Sequence, residues 1–148
     1  MKLPDGREAE RELALHPGAV AIIPILDDGR ILLVRQYRHA VGAELLEIPA
    51  GKLDVDGESP QECAARELTE ETGYEASEWE ELLTFYTSPG FTNETITLFR
   101  ATGLRKVGSF APGEIAGIEP IEPGSARRMV TTGEIADGKT IIALLLER

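Results

Sequence analysis

Cysteine, histidine and aromatic side chains are scarce in this sequence. Of 148 residues, one is cysteine, two are histidine and 5% are aromatic. The single Cys63 has no partner for an internal disulfide, which suits a reducing cytoplasm. It has no histidine near it in sequence, so a packed thiol is expected there and not a nucleophile. His16 and His39 lack neighbours that would suggest a metal site, and both read as structural. No apolar run reaches membrane length and no signal peptide is expected, so the chain reads as cytoplasmic. Positive charge is also in deficit, with 15 Lys and Arg against 26 Asp and Glu and a net charge of −11. That balance argues against nucleic acid or an anionic membrane as a partner. What remains, 42% hydrophobic and 28% charged, is a globular composition of a length for one well-cored domain.

The chain is organised around Gly51 to Tyr74, GKLDVDGESPQECAARELTEETGY. Its second half carries the start and stop signals of a helix. Ser59 suits an N-cap, Pro60 the first turn, and Glu62 completes a capping box with Ser59. Gly73 stands where a left-handed C-cap residue would end the helix. Glu67 and Glu71 then share one face, with Glu70 beside them. Like charges at that spacing cost an isolated helix roughly 0.2–0.5 kcal/mol per pair. A hard divalent cation would remove the repulsion, because Mg²⁺ takes carboxylate oxygens and keeps waters and substrate phosphates. The competing reading is a solvated acidic face, held by the i,i+4 pairs Glu62–Arg66 and Arg66–Glu70.

Around this stretch the pattern alternates strands and helices. Arg7–Leu15 reads as a strand or edge ribbon. Gly18–Leu26 is a β-branched apolar run ended by the turn Asp27-Asp28-Gly29, and pairing with Arg30–Tyr37 as a hairpin is expected. Leu45–Ile48, Glu81–Thr87, Glu94–Thr102 and Ile118–Ile121 read as further strands. Residues 106–116 read as a mobile loop. Ser125–Thr132 is a short helix, and Asp137 caps a last one with Ile141, Ile142, Leu144 and Leu145 as its core face.

Arg66-Glu67-Leu68-x-Glu70-Glu71-x-Gly73-Tyr74, following a glycine turn, closely resembles the Nudix box G-x5-E-x7-REU-x-EE-x-GU, with U aliphatic or aromatic. It departs from that pattern in one place: six residues instead of five separate Gly51 from Glu58. The extra residue lies in the Gly- and Asp-rich LDVDG loop, where an insertion is easily tolerated. The resemblance implies an α/β/α sandwich with a mixed sheet flanked by helices. It also implies metal-dependent hydrolysis of a nucleoside diphosphate linked to another group. Carried over residue by residue, the metal ligands would be the Ala50 carbonyl, Glu67 and Glu71. Glu70 and Glu58 would assist, and Arg66 would pair with carboxylates to hold the loop, with Glu47 as another candidate partner. The cofactor would be Mg²⁺ or Mn²⁺, two or more ions per site.

Outside the box, Ser88-Pro89-Gly90-Phe91-Thr92-Asn93-Glu94, LLVRQYR and LLEIPAGKLD resemble the ADP-ribose pyrophosphatase branch. In that branch the loop glutamate activates the attacking water, which makes Glu94 the candidate general base. Arg38 matches an arginine that contacts the substrate. Alternation sets Arg35 on the opposite face, as a surface or dimer charge. Pro89, Gly90 and Phe91 would form a loop beside the substrate, with Phe91 stacking on it or capping the core. The resemblance further implies a homodimer, with residues 1–16 as the remnant of an N-terminal β extension within one domain, 1–148. Two rivals stand beside ADP-ribose hydrolysis: a GDP-mannose or UDP-sugar diphosphatase, and a nucleotide-binding sensor without catalysis. The intact REUxEExGU and the want of a basic face disfavour the sensor.

Overall fold

The apolar run after Gly18 forms a strand covered on both sides. In the computed structural model, which describes residues 2, 4–110, 113 and 115–147, β1 (Ala19–Pro24) is buried along its whole length. Ala19, Ala21 and Ile23 join one core cluster, and Val20 and Ile22 join another on the opposite face. A strand buried on both faces has no solvent side with which to alternate, so its sequence is a continuous apolar run. In the mixed sheet, β1 lies between β4 (Ala50–Lys52) and β6 (Thr95–Lys106), with β5 (Tyr74–Tyr86) at the far edge. β1 and β6 are parallel, with Ala19 opposite Ile96 and Pro24 opposite Ala101. β4 and β5 run antiparallel to their neighbours. A second, antiparallel sheet has β2 (Ile31–Arg38) between β3 (Ala43–Glu47) and β7 (Ile115–Ile121).

Helices cover both sides of β1. α1 (Pro60–Thr72) buries Cys63, Ala64 and Leu68 against Val20, Ile22 and Phe99. α2 (Pro123–Thr132) and α3 (Gly138–Leu146) bring Ala126, Ala143 and Leu144 to the other cluster. This is the expected α/β architecture of a mixed sheet flanked by helices. The caps of α1 form as the sequence signals: Ser59 Oγ accepts from Glu62 N–H at 3.3 Å, and Glu62 Oε2 accepts from Ser59 N–H at 2.8 Å. Gly73 ends the helix at φ +72° and donates its N–H to Thr69 O at 2.8 Å. Among the described residues no helix is long and apolar enough to cross a membrane.

Four expectations are corrected. β1 and β2 do not pair as a hairpin; one isolated bridge, from Ile25 just after β1 to Ile31, joins the two segments, and the strands belong to different sheets. The reason is competition, since both edges of β1 and both edges of β2 are taken by other strands. Arg7–Leu15 forms isolated bridges, Glu8 to Lys2 and Ala14 to Thr92, and no strand; most of it is exposed, so no apolar face drives pairing. β5 begins at Tyr74, well before Glu81, because an edge strand can expose charges such as Glu75 and Glu78. In α3 the buried residues are Lys139, Thr140, Ala143 and Leu144, whereas Leu145 is 63% exposed. Of the loop expected over 106–116, residues 111, 112 and 114 lie outside the described residues; β6 runs to Lys106 and β7 already starts at Ile115.

Candidate active site

One cavity, of about 850 Å³, gathers most of the charged residues singled out by the sequence. Its floor is the junction of β4 with α1. An ideal Cβ on Gly51 would come within 2.0 Å of Glu67 Cδ, so glycine there lets the Glu67 side chain lie against the strand. One turn further along α1, Glu71 Oε2 accepts the Ala50 N–H at 3.1 Å. Burial pushes the Glu71 carboxyl up to about 7; the charge of Glu67 adds to this, while Ala50 N–H, Lys139 and Arg38 oppose it. Glu67 is also raised, first by burial, against the pull of Arg66.

Arg66 gathers the other box carboxylates. Its Nε and Nη2 donate to the two oxygens of Glu58, both at 2.9 Å, in a bidentate pair. Nη1 donates to Glu67 Oε1 at 2.6 Å and reaches Glu70 at 3.4 Å. Hydrogen bonding to Glu58 raises the arginine further, and the same bonds hold Glu58 below its ordinary value. In the longer loop before Glu58, Gly57 turns at φ +83°. Arg66 also donates to Cys63 Sγ at 3.4 Å, and burial pushes that thiol up to about 12, so it is a packed group and no nucleophile.

The opposite wall was only half legible. Glu47 is neither exposed nor a partner of Arg66: it is 1% exposed and accepts from Arg38 Nε and Nη2 at 2.8 and 2.7 Å. The Lys139 ammonium also pairs with Glu47, and lies 3.0 Å from Asp137 Oδ2. Burial alone would raise Glu47, but Arg38 and Lys139 together hold it below its ordinary value. Arg38 therefore lines the cavity, whereas Arg35 pairs with Glu119 on β7 and does not. Lys139 was not expected: it follows a helix cap within an otherwise apolar segment, and no local pattern marks it.

Glu94 enters from the loop between β5 and β6. Its Oε2 accepts from Thr87 Oγ1 at 2.6 Å, and its Oε1 lies 3.4 Å from His16 Nε2. His16, read from sequence as structural, thus lines the cavity beside the candidate base. Pro89, Gly90 and Phe91 do not line it, and Phe91 is 60% exposed.

The cavity's charge is lopsided. Arg38, Lys52 and Lys139 face six carboxylates: Glu47, Asp54, Glu67, Glu71, Glu94 and Asp137. Among the described residues no three His, Cys, Asp or Glu side chains are grouped so as to hold an ion; Arg66 is bonded to Glu58 and Glu67. The donor chemistry nonetheless suits a hard cation: two half-buried carboxyls on one face of α1, both raised by burial, in an acidic cavity.

Comparison with known proteins gives this geometry its setting. A family model described as the NUDIX domain matches residues 15–143. A methanol dehydrogenase activator of Bacillus methanolicus is 42% identical over 97% of this chain and 79% of its own. ADP-ribose pyrophosphatases of Mycobacterium tuberculosis and Bacillus subtilis are 45% and 38% identical, covering 98% and 97% of this chain and 72% and 79% of theirs. A crystal structure of an ADP compounds hydrolase shares the fold at a TM-score of 0.82 and 24% identity, covering 98% of this chain and 79% of its own. With a capped glutamate helix, its arginine clamp and relatives that match nearly all of this chain in agreement, the chain belongs to the Nudix family and is a Nudix hydrolase.

Proposed function

We propose that the protein hydrolyses the diphosphate bond of ADP-ribose, or of a related nucleoside diphosphate sugar, giving AMP and ribose 5-phosphate from ADP-ribose. The observation that carries this is the convergence of Glu67 and Glu71 from α1, Arg38 from β2 and Glu94 from the β5–β6 loop on one acidic cavity. The names of the relatives support the substrate class. Ala50, Glu67 and Glu71 would hold Mg²⁺ or Mn²⁺, with Glu70 and Glu58 near. Such ions, when bound, supply charge neutralisation on the diphosphate and a more acidic water.

The chain's own groups divide the remaining work. Arg38, fixed by Glu47, offers the diphosphate a preorganised cation. Glu94 takes the proton from water as its oxygen bonds to one phosphorus; the bridging oxygen leaves with the other phosphoryl group. Arg66 ties Glu67 and Glu70 of α1 to Glu58 in the loop before it. The reading includes one Nudix domain over the whole chain, a cytoplasmic location and a homodimer.

The test is product analysis with Mg²⁺ and a panel of ADP-ribose, GDP-mannose, UDP-glucose and NADH. Release of AMP and ribose 5-phosphate from ADP-ribose is expected. Glu94→Gln should lower kcat by roughly 10²–10⁴-fold with little change in metal affinity. Preference for another sugar nucleotide rules out ADP-ribose as the substrate and keeps the chemistry. Full activity in Glu71→Gln refutes the site.

A further inference from the structure

His16 is the one cavity residue whose two ring nitrogens are engaged in different tasks. Its Nδ1 accepts the Gly18 N–H at 3.1 Å. A nitrogen that accepts carries no proton, so the proton of this imidazole is on Nε2. Nε2 is the atom 3.4 Å from Glu94 Oε1. The backbone of His16 is itself fixed to the loop that carries Glu94: its N–H donates to Asn93 Oδ1 at 2.8 Å, and its carbonyl accepts from Asn93 Nδ2 at 3.1 Å. Two residues earlier, Ala14 N–H donates to Phe91 O at 2.8 Å. The N-terminal segment is thus joined to the SPGFTNE loop by main-chain and side-chain bonds, and the ring is delivered to the carboxylate by that joint. Glu94's other oxygen accepts from Thr87 Oγ1 at 2.6 Å, so a hydroxyl donor holds one side of the carboxylate while the imidazole lies at contact distance, 3.4 Å, on the other.

We propose that His16 is a positioning residue for Glu94: its Nε2–H, with Thr87 Oγ1–H, fixes the rotation of the carboxylate toward the attacking water. A carboxylate has about four lone-pair sites, so two remain for that water after both donors are placed. The inference rests on the reading of Glu94 as general base. A purely structural role is the alternative, in which the ring only caps the turn at Gly18 through Nδ1.

The two nitrogens let substitution separate these roles. Glutamine extends an amide donor to about the place of Nε2, and asparagine puts an acceptor near Nδ1. Steady-state kinetics on ADP-ribose with saturating Mg²⁺ should show kcat of His16→Asn lowered about tenfold or more, with KM little changed. His16→Gln should recover most of that loss, whatever each variant's Tm. In a Glu94→Gln background, His16→Asn should cost nothing further in kcat, because a positioning residue has nothing left to position. Recovery by asparagine and not glutamine, equal loss in both, or an undiminished cost in the Glu94→Gln background would each overturn the proposal. Full turnover in Glu94→Gln alone would instead show that the base is elsewhere, a failure of the underlying reading that the single variant exposes by itself.

Discussion

Glu71 is the side chain on which the site's electrostatics converge, and its protonation ties the site to stability. Burial, reinforced by the charge of Glu67, raises its carboxyl from an ordinary 4.5 to about 7 in the metal-free protein. The unfolded chain releases this proton near 4.5 and the folded one keeps it to about 7, so folding takes up a proton between those values. The stability contributed by Glu71 is therefore complete below about pH 4.5 and is lost as pH rises through 7. The whole effect is on the order of 3 kcal/mol. Thermal melting of metal-free protein from pH 5 to pH 8 should show a falling term that Glu71→Gln lacks. Glu58 and Glu47 are held below their ordinary values and contribute with the opposite sign, failing in acid. The informative quantity is thus the difference between wild type and variant. Parallel pH profiles for the two proteins would sink the account.

At the scale of elements, α1 carries the site, and its end is the most constrained point along it. Gly73 sits at φ +72°, a region that costs an L-residue about 1–2 kcal/mol. A Cβ there would also come within 2.6 Å of Gly108 O, while Gly73 O accepts the N–H groups of Val107 and Gly108 at 2.8 and 3.1 Å. Gly73→Ala should therefore destabilise by about 2 kcal/mol or more, lowering Tm by roughly 4–8 °C. An unchanged Tm would mean that the chain after β6 yields freely. This helix was also the element most legible in sequence, because its caps and its glutamate spacing are local signals. The pairing of β1 was not legible: the Asp27-Asp28-Gly29 turn suggested a hairpin, but the partners of β1 lie far along the chain, at Ala50–Lys52 and Thr95–Lys106. The site divides in the same way. Glu67, Glu71, Glu94 and Arg38 were found through motifs. Glu47, Lys139 and His16 were misjudged or missed, since only the folded chain shows that Glu47 meets Arg38 and Lys139, and His16 meets Glu94.

For the molecule as a whole, the surplus of negative charge poses the same problem as the cavity does locally. A chain of net charge −11 repels a diphosphate, and within that total the cavity itself sets six carboxylates against three cations. Divalent ions are the natural remedy, and the same field that repels substrate concentrates them. Part of the metal affinity should then come from long-range attraction and not from ligands alone. That part is screened by salt, as the Debye length falls from about 30 Å at 0.01 M to about 8 Å at 0.15 M. Titration of metal-free protein with Mg²⁺ should accordingly give a Kd that rises several-fold over this range. kcat at saturating metal should change little, because ions held directly by carboxylates, as proposed for Glu67 and Glu71, would be poorly screened. A Kd indifferent to salt would confine metal attraction to the immediate ligands. The acidic surface would then need another reason, such as solubility.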